Sequence, residues 1–177
     1  VVAQFFYVGA QVCVTSFFIR IAQQGAGLDE KTAAYYLGIY GFLFMAGRFI
    51  GTFFLRFVKD YILLSIYCVI SILLCVVAIY GTGITVIYAL GAIGFFMSIM
   101  FPTIFSLGLV GLQSNTETGS SWLVMSIVGG AILPYAMGTL IDMNHDDIQS
   151  GYTIPLVCFA IVLYFALFGR KVKTEPI

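Results

Sequence analysis

Polar side chains recur along one side of the first apolar segment of this chain. They are spaced by three or four residues, which places them on one face of an α-helix. The residues are Gln4, Tyr7, Gln11 and Thr15. Amides and hydroxyls both donate and accept hydrogen bonds, so this face suits a neutral solute rich in hydroxyl groups, such as a sugar. The same side chains could instead hydrogen-bond to neighbouring helices and hold them together.

A second candidate group lies in the stretch Met97–Gly108. Pro102 has no backbone N–H, which predicts a kinked helix at this point and carbonyl groups left free to line a cavity. Phe101 next to it could stack on the apolar face of a pyranose ring, although packing against other apolar side chains is the alternative. We place Ser98 in the same candidate solute site.

One cation, Arg48, lies inside an otherwise apolar segment. Its long side chain could reach the membrane interface, or it could hold a contact that stabilises one conformation of a transporter. Gly47 and Gly51 on either side form a small-x-x-x-small pair, which favours close helix packing. We therefore assign a conformational role to Gly47, Arg48, Gly51 and Pro102.

The residues give little support to an enzyme. The one histidine, His145, lies in a polar loop, and neither Gly-x-Ser-x-Gly nor His-Glu-x-x-His occurs. The four cysteines are isolated within apolar segments, so neither disulfides nor a metal site is indicated. We predict no catalytic residue, no metal and no cofactor. With a net charge of zero and no basic patch, no nucleic-acid partner is expected.

The elements that must position these residues are membrane helices. The 56 residues from Tyr61 to Thr116 contain no Asp, Glu, Lys or Arg, and the whole chain is 61% hydrophobic and 9% charged. About 20 apolar residues cross a bilayer as a helix, so this stretch fits two spans joined by the turn at Gly81–Gly83. Strands of a β-barrel would alternate apolar and polar residues, which these continuous runs do not.

The sequence predicts an all-α membrane fold of six spans. Their expected bounds are Val1 to Ile19, closed by Arg20; Ala33 to Leu55; Tyr61 to Tyr80; Ile84 to Leu107; Gly119 to Ile141; and Tyr152 to Phe168, ended by Gly169-Arg170-Lys171. An even number of spans puts both ends on the same side of the membrane. Because the chain begins inside a span without Met, we interpret it as part of a longer protein.

Loop charges predict the orientation. The side with both termini carries five Lys and Arg residues, and the opposite side carries two together with an acidic turn at 142–147. Positive residues concentrate in cytoplasmic loops, so both termini are expected in the cytoplasm. The cationic residues are Arg56, Lys59, Arg170, Lys171 and Lys173 on one side and Arg20 and Lys31 on the other.

Four stretches resemble a known family in order and in loop length. They are Tyr7–Gln11, Gly47–Thr52, Phe101–Gly108 and Gly119–Gly130. They look like the C-terminal half of the fucose permease group of the major facilitator superfamily. The resemblance implies a twelve-helix sugar:proton symporter in the inner membrane, working by alternating access, with residues 1–177 as its second six-helix domain. It also implies that the N-terminal six-helix domain is the partner of this chain and holds the proton site.

Two positions depart from the pattern of that group. Trp is expected where the chain has Thr15, and Tyr where it has Phe101; both positions resemble substrate contacts. The substrate is therefore expected to be a hexose or deoxyhexose, with L-fucose and glucose or galactose as open alternatives. A membrane scaffold without a solute is the remaining alternative, in which the polar residues only join helices.

Overall fold

The computed structural model describes residues 1–110, 112, 115–145 and 147–169. All regular structure within these ranges is helical. The helices are α1 (Val2–Ser16), α2 (Phe18–Ala26), α3 (Glu30–Phe54), α4 (Asp60–Tyr80), α5 (Ile84–Met97), α6 (Met100–Leu109), α7 (Thr116–Met125), α8 (Gly129–Met143), α9 (Ile148–Gly151) and α10 (Thr153–Phe168), with a 3₁₀ turn at Ser126–Val128. Arg170, Lys171, Lys173 and Asp146, used above for orientation, lie outside the described residues.

Length and composition identify the candidate membrane spans among the described residues. Five helical segments qualify alone, and α1 with α2 would make a sixth span bent by 52°. The five are Glu30–Phe54, Asp60–Tyr80, Ile84–Leu109, Thr116–Met143 and Ile148–Phe168. The all-helical architecture with up to six spans agrees with the sequence prediction, with boundaries within a few residues for most spans.

The first span differs from its prediction. Arg20 does not close it, because the chain bends at Phe17 and then continues as α2 to Ala26. The Thr15 hydroxyl donates to the Gln11 carbonyl at 2.8 Å, a back-bond to residue i−4 that favours bending of a helix. Arg20 is exposed, with its guanidinium 5.9 Å from the centre of the Phe17 ring. The span then ends at Gly27, whose positive φ of 65° suits a residue without Cβ.

The fourth span, formed by α5 and α6, occupies the centre of the structure. In its apolar window 61% of the residues are buried, against 17% for α3 and 22% for Thr116–Met143. Helix α5 packs against α3 and α4, and α6 contacts α1, α4 and α7. On the other side, α1 packs against α8 and α10. The first and fourth spans, which carry the candidate residues, are therefore in contact through α1 and α6.

The break in the fourth span lies at Ser98–Ile99, before Pro102 rather than at it. A proline deprives the carbonyl four residues earlier of its helical partner, so the ladder is interrupted toward the N-terminus of the proline. The predicted kink is therefore displaced by about one turn. Pro102 itself occupies the third position of α6, within the first turn, where a missing N–H is tolerated.

Candidate solute-binding site

Tyr7 joins the first span to the break in the fourth. Its side chain is fully buried, and its hydroxyl donates to the Met97 carbonyl at 2.7 Å. Its ring meets the Phe101 ring edge to face, with centres 6.3 Å apart. Phe101 is half-buried and stacks on Phe105 at 6.3 Å. The Tyr7 hydroxyl is thus used within the protein rather than open to solvent.

Arg48 joins the second span to the same break. Its Nε donates to the Ser98 carbonyl at 3.3 Å, the carbonyl for which Pro102 offers no N–H. The Ser98 side chain is buried, and its hydroxyl donates to the Phe95 carbonyl at 2.7 Å. The Arg48 guanidinium also lies 5.3 Å from the centre of the Phe44 ring, a cation–π distance.

Gly47 and Gly51 bring the backbone of α3 against this break. A Cβ at Gly47 would collide with the Phe95 carbonyl oxygen and lie 2.7 Å from Ser98 Oγ. A Cβ at Gly51 would collide with the Ile99 side chain. The predicted small-x-x-x-small pair is thus a real site of close helix packing, between α3 and the break in the fourth span.

The polar face of the first span divides into two parts. Gln4 and Tyr7 are fully buried, and the Gln4 amide has no hydrogen-bond partner within the described chain. Gln11 is half-buried and Thr15 is exposed. The polar helix face that was predicted to line one cavity therefore runs from the interior at Gln4 to the surface at Thr15. Its role in binding a solute stays a prediction.

Two contributors were missed by sequence reasoning. The Tyr40 hydroxyl lies 3.4 Å from the Thr15 hydroxyl, and the Arg48 guanidinium lies over the Phe44 ring. Tyr40, Phe44 and Arg48 follow each other at intervals of four residues in α3, so they share one helix face. That spacing was a signal that could have identified both aromatic residues once Arg48 was chosen.

Three of the predicted site residues have accessible side chains. Half-buried or exposed positions offer an amide at Gln11, a hydroxyl at Thr15 and an aromatic ring at Phe101. No carboxylate is buried among the described residues. Nor does that part of the chain place three His, Cys, Asp or Glu side chains where they could hold a metal ion.

Comparisons with known proteins show that the sequence is similar to sugar transporters. The chain is 40% identical over 169 residues to a glucose/galactose transporter of Brucella abortus and 38% identical over 176 residues to the L-fucose-proton symporter of Escherichia coli. The alignments cover 94% and 99% of the chain and 40% of each relative. No family model matches the sequence.

A solved structure matches as well. The crystal structure of the major facilitator superfamily transporter FucP in the outward conformation superposes with a TM-score of 0.91 at 39% identity, over 94% of this chain and 40% of that one. The chain matches the C-terminal half of major facilitator superfamily sugar transporters of the fucose permease group. It therefore has the fold of one six-helix half of these transporters and spans about 40% of their length.

Proposed function

We propose that this chain is the second six-helix half of a proton-coupled transporter for a hexose or deoxyhexose, working by alternating access. The observation that carries the proposal is the match of nearly the whole chain, in sequence and in fold, to one half of sugar transporters. The other half, with six further helices, is the partner that would complete the substrate cavity.

The substrate contacts of this half are Gln11, Thr15 and Phe101. Gln11 and Thr15 lie on the first span, and Phe101 lies in the fourth, so a cavity between the two halves would meet side chains from both. Their exposure supports direct contact with a sugar, through hydrogen bonds to hydroxyl groups and packing on a ring face. Gln4, Tyr7 and Ser98 would line the protein side of this site, behind the residues that contact the sugar, because all three are buried.

The residues around the fourth-span break would control conformational change. Gly47, Gly51 and Arg48 meet the fourth span at the break, and Pro102 follows that break by about one turn. A close-packed junction of this kind resists gradual deformation and favours two discrete arrangements. Arg48 would thus affect the rate of cycling rather than the recognition of the sugar.

Proton coupling would depend on the other half. Coupling needs an ionisable group at membrane depth, and carboxylates in the described part of this chain are not buried. The protein would lie in the inner membrane with both ends of this segment in the cytoplasm, as the Lys and Arg distribution predicts. We expect no enzymatic activity and no cofactor.

Two substrate classes remain in competition. Identity to the Brucella glucose/galactose transporter is 40% and to the Escherichia coli symporter 38%, so overall similarity does not separate them. Thr15 and Phe101 favour glucose or galactose, because the fucose permease pattern would have an indole and a phenol there. A scaffold that carries no solute is the rival from another class.

Counterflow distinguishes these alternatives. The full-length protein containing this chain is placed in vesicles loaded with unlabelled glucose, galactose or fucose, and labelled sugar is added outside. We expect transient accumulation of label with galactose or glucose, in excess of that with fucose. Absence of counterflow with every sugar would support the scaffold, and counterflow restricted to fucose would refute the proposed selectivity.

A further inference from the structure

We propose that Tyr7 is a positioning residue that holds the fourth-span break, and through it the Phe101 ring, while Arg48 supports the next carbonyl of the same break. The effect on sugar binding rests on the proposed function, but the hydrogen bonds that Tyr7 and Arg48 make to the break do not. Neither role requires contact with the sugar. This distinguishes Tyr7 from the exposed candidates on its own helix.

Two adjacent backbone carbonyl groups border the break. Met97 and Ser98 are followed by the break, and their carbonyls would normally accept the N–H groups of residues 101 and 102. Pro102 has none, and Phe101 lies in the first turn of α6, where N–H groups have no partner within the helix. Side chains take over both carbonyls: the Tyr7 hydroxyl for Met97 and the Arg48 Nε for Ser98.

The two donors come from different helices. Tyr7 belongs to α1 and Arg48 to α3, so the break is held by two different neighbours of the fourth span. Close packing of Gly47 on the Phe95 carbonyl keeps α3 near enough for the Arg48 bond. A break secured in this way has a defined geometry rather than a range of bends.

Tyr7 also contacts the residue that follows the break. Its ring meets Phe101 at 6.3 Å while its hydroxyl binds Met97, so one side chain fixes both the backbone and the ring. Because Tyr7 is fully buried, it cannot bind a sugar directly in this conformation. Without its hydroxyl, the Met97 carbonyl would lose its partner in a buried setting, and the Phe101 ring would lose its fixed position.

Hydrogen–deuterium exchange on the full-length protein, without sugar, tests the support of the break. The Tyr7→Phe variant keeps the ring and removes only the hydroxyl. We expect the amides of residues 99, 100, 101 and 103 to exchange roughly threefold to tenfold faster, as the loss of one hydrogen bond implies. Tyr152→Phe is the matched control, because Tyr152 is equally buried and its hydroxyl has no partner within the described chain.

A double-substitution cycle tests the reason for the Arg48 contact. Pro102→Ala restores an N–H that can bond to the Ser98 carbonyl. The Arg48 Nε is then no longer needed as the donor to that carbonyl. We expect Arg48→Gln to speed exchange at residues 99, 100, 101 and 103 in the natural sequence and to have little effect on them in the Pro102→Ala background. An effect of equal size in both backgrounds would overturn the role of Arg48.

Sugar binding by calorimetry tests the positioning of Phe101. Tyr7→Phe is expected to weaken the affinity for the transported hexose several-fold, and Tyr152→Phe to leave it unchanged. Faster exchange with unchanged affinity would overturn the positioning role, and unchanged exchange would overturn the support of the break. If the natural protein binds no hexose, the proposed function and the positioning role fail, while the exchange measurements still decide the support of the break.

Discussion

At the scale of single residues, the candidate site depends on whether a polar group is already used inside the protein. The hydroxyls of Tyr7, Ser98 and Thr15 all donate to backbone carbonyls. The Gln11 amide, by contrast, lies at a half-buried position from which it can meet a solute. Gln11 is therefore the side chain in the first span on which sugar recognition should depend most.

Replacing Gln11 with Ala should weaken sugar binding from several-fold to more than tenfold. The loss of a hydrogen bond to a neutral partner costs about 0.5–1.5 kcal/mol, and more where a buried group is left unpaired. The affinity is measured by calorimetry on the full-length protein. Gln24→Ala, an exposed amide at the far end of the bent span, is the control. Unchanged affinity for every sugar in Gln11→Ala would reduce Gln11 to a packing residue.

Thr15→Trp and Phe101→Tyr, made together, should shift selectivity toward fucose. The first adds an indole that can stack on a sugar ring, and the second adds a phenol hydroxyl as a hydrogen-bond partner. Thr15 is exposed, so the larger side chain has room. The ratio of galactose to fucose affinity is the measurement, and we expect it to fall. A ratio that stays constant would place both residues outside the substrate site.

At the scale of the helices, the sequence predicted the spans well and the breaks less well. Uninterrupted apolar runs of about 20 residues leave few alternatives to membrane helices. No proline or glycine lies near Phe17 to indicate the bend. A hydrogen bond from a threonine hydroxyl to the carbonyl four residues earlier is also common in straight helices. The sequence predicted a kink at Pro102, and the structure has the break about one turn earlier. That side chains of α1 and α3 would bind the carbonyls of the break could not be predicted, because tertiary packing decides it.

The sequence also did not predict that the polar face of the first span divides into a buried part and an accessible part. Spacing showed that Gln4, Tyr7, Gln11 and Thr15 share a side of a helix, and it could not show how far each lies from the surface. Burial changes along α1 because its neighbours do not cover it evenly. In contrast, the close packing at Gly47 and Gly51 followed from residue size alone.

Gly47→Ala should destabilise the protein by about 1–3 kcal/mol, the usual cost of overpacking. A Cβ there would collide with the Phe95 carbonyl oxygen, and backbone cannot move aside as a flexible side chain can. Gly41→Ala in the same helix is the control, because a Cβ at that position meets nothing within 4 Å. Gly41→Ala should leave stability unchanged or raise it by up to about 1 kcal/mol.

Thermal unfolding of the detergent-solubilised full-length protein compares the two glycine variants. We expect a lower midpoint for Gly47→Ala and an equal or higher midpoint for Gly41→Ala. Equal midpoints for both variants would mean that α3 and the fourth span are not packed as closely as described.

At the scale of the whole molecule, exposure indicates where further surfaces must be covered. The spans Glu30–Phe54 and Thr116–Met143 are the least buried, and both carry large exposed apolar side chains, including Phe49 and Tyr135. Lipid and a second six-helix half are the two environments that would cover them. The proposed second half agrees with the match of this chain to 40% of the length of a solved sugar transporter.

Cysteine labelling should show the predicted orientation. Phe57→Cys lies in the loop between α3 and α4 and Asn144→Cys at the opposite end, and both positions are exposed. The four natural cysteines are buried, which keeps their background low. We expect a membrane-impermeant reagent to label residue 144 and not residue 57 in intact cells. The reverse pattern would invert the orientation.

We propose that this chain forms half of a proton-coupled sugar transporter. Uptake of labelled galactose by vesicles containing the full-length protein, measured with and without an inward proton gradient, tests this proposal. We predict accumulation above the outside concentration only when the gradient is present, and loss of accumulation when the gradient is collapsed. Equilibration that ignores the gradient would contradict proton coupling, and no uptake of galactose, glucose or fucose would contradict the transporter itself.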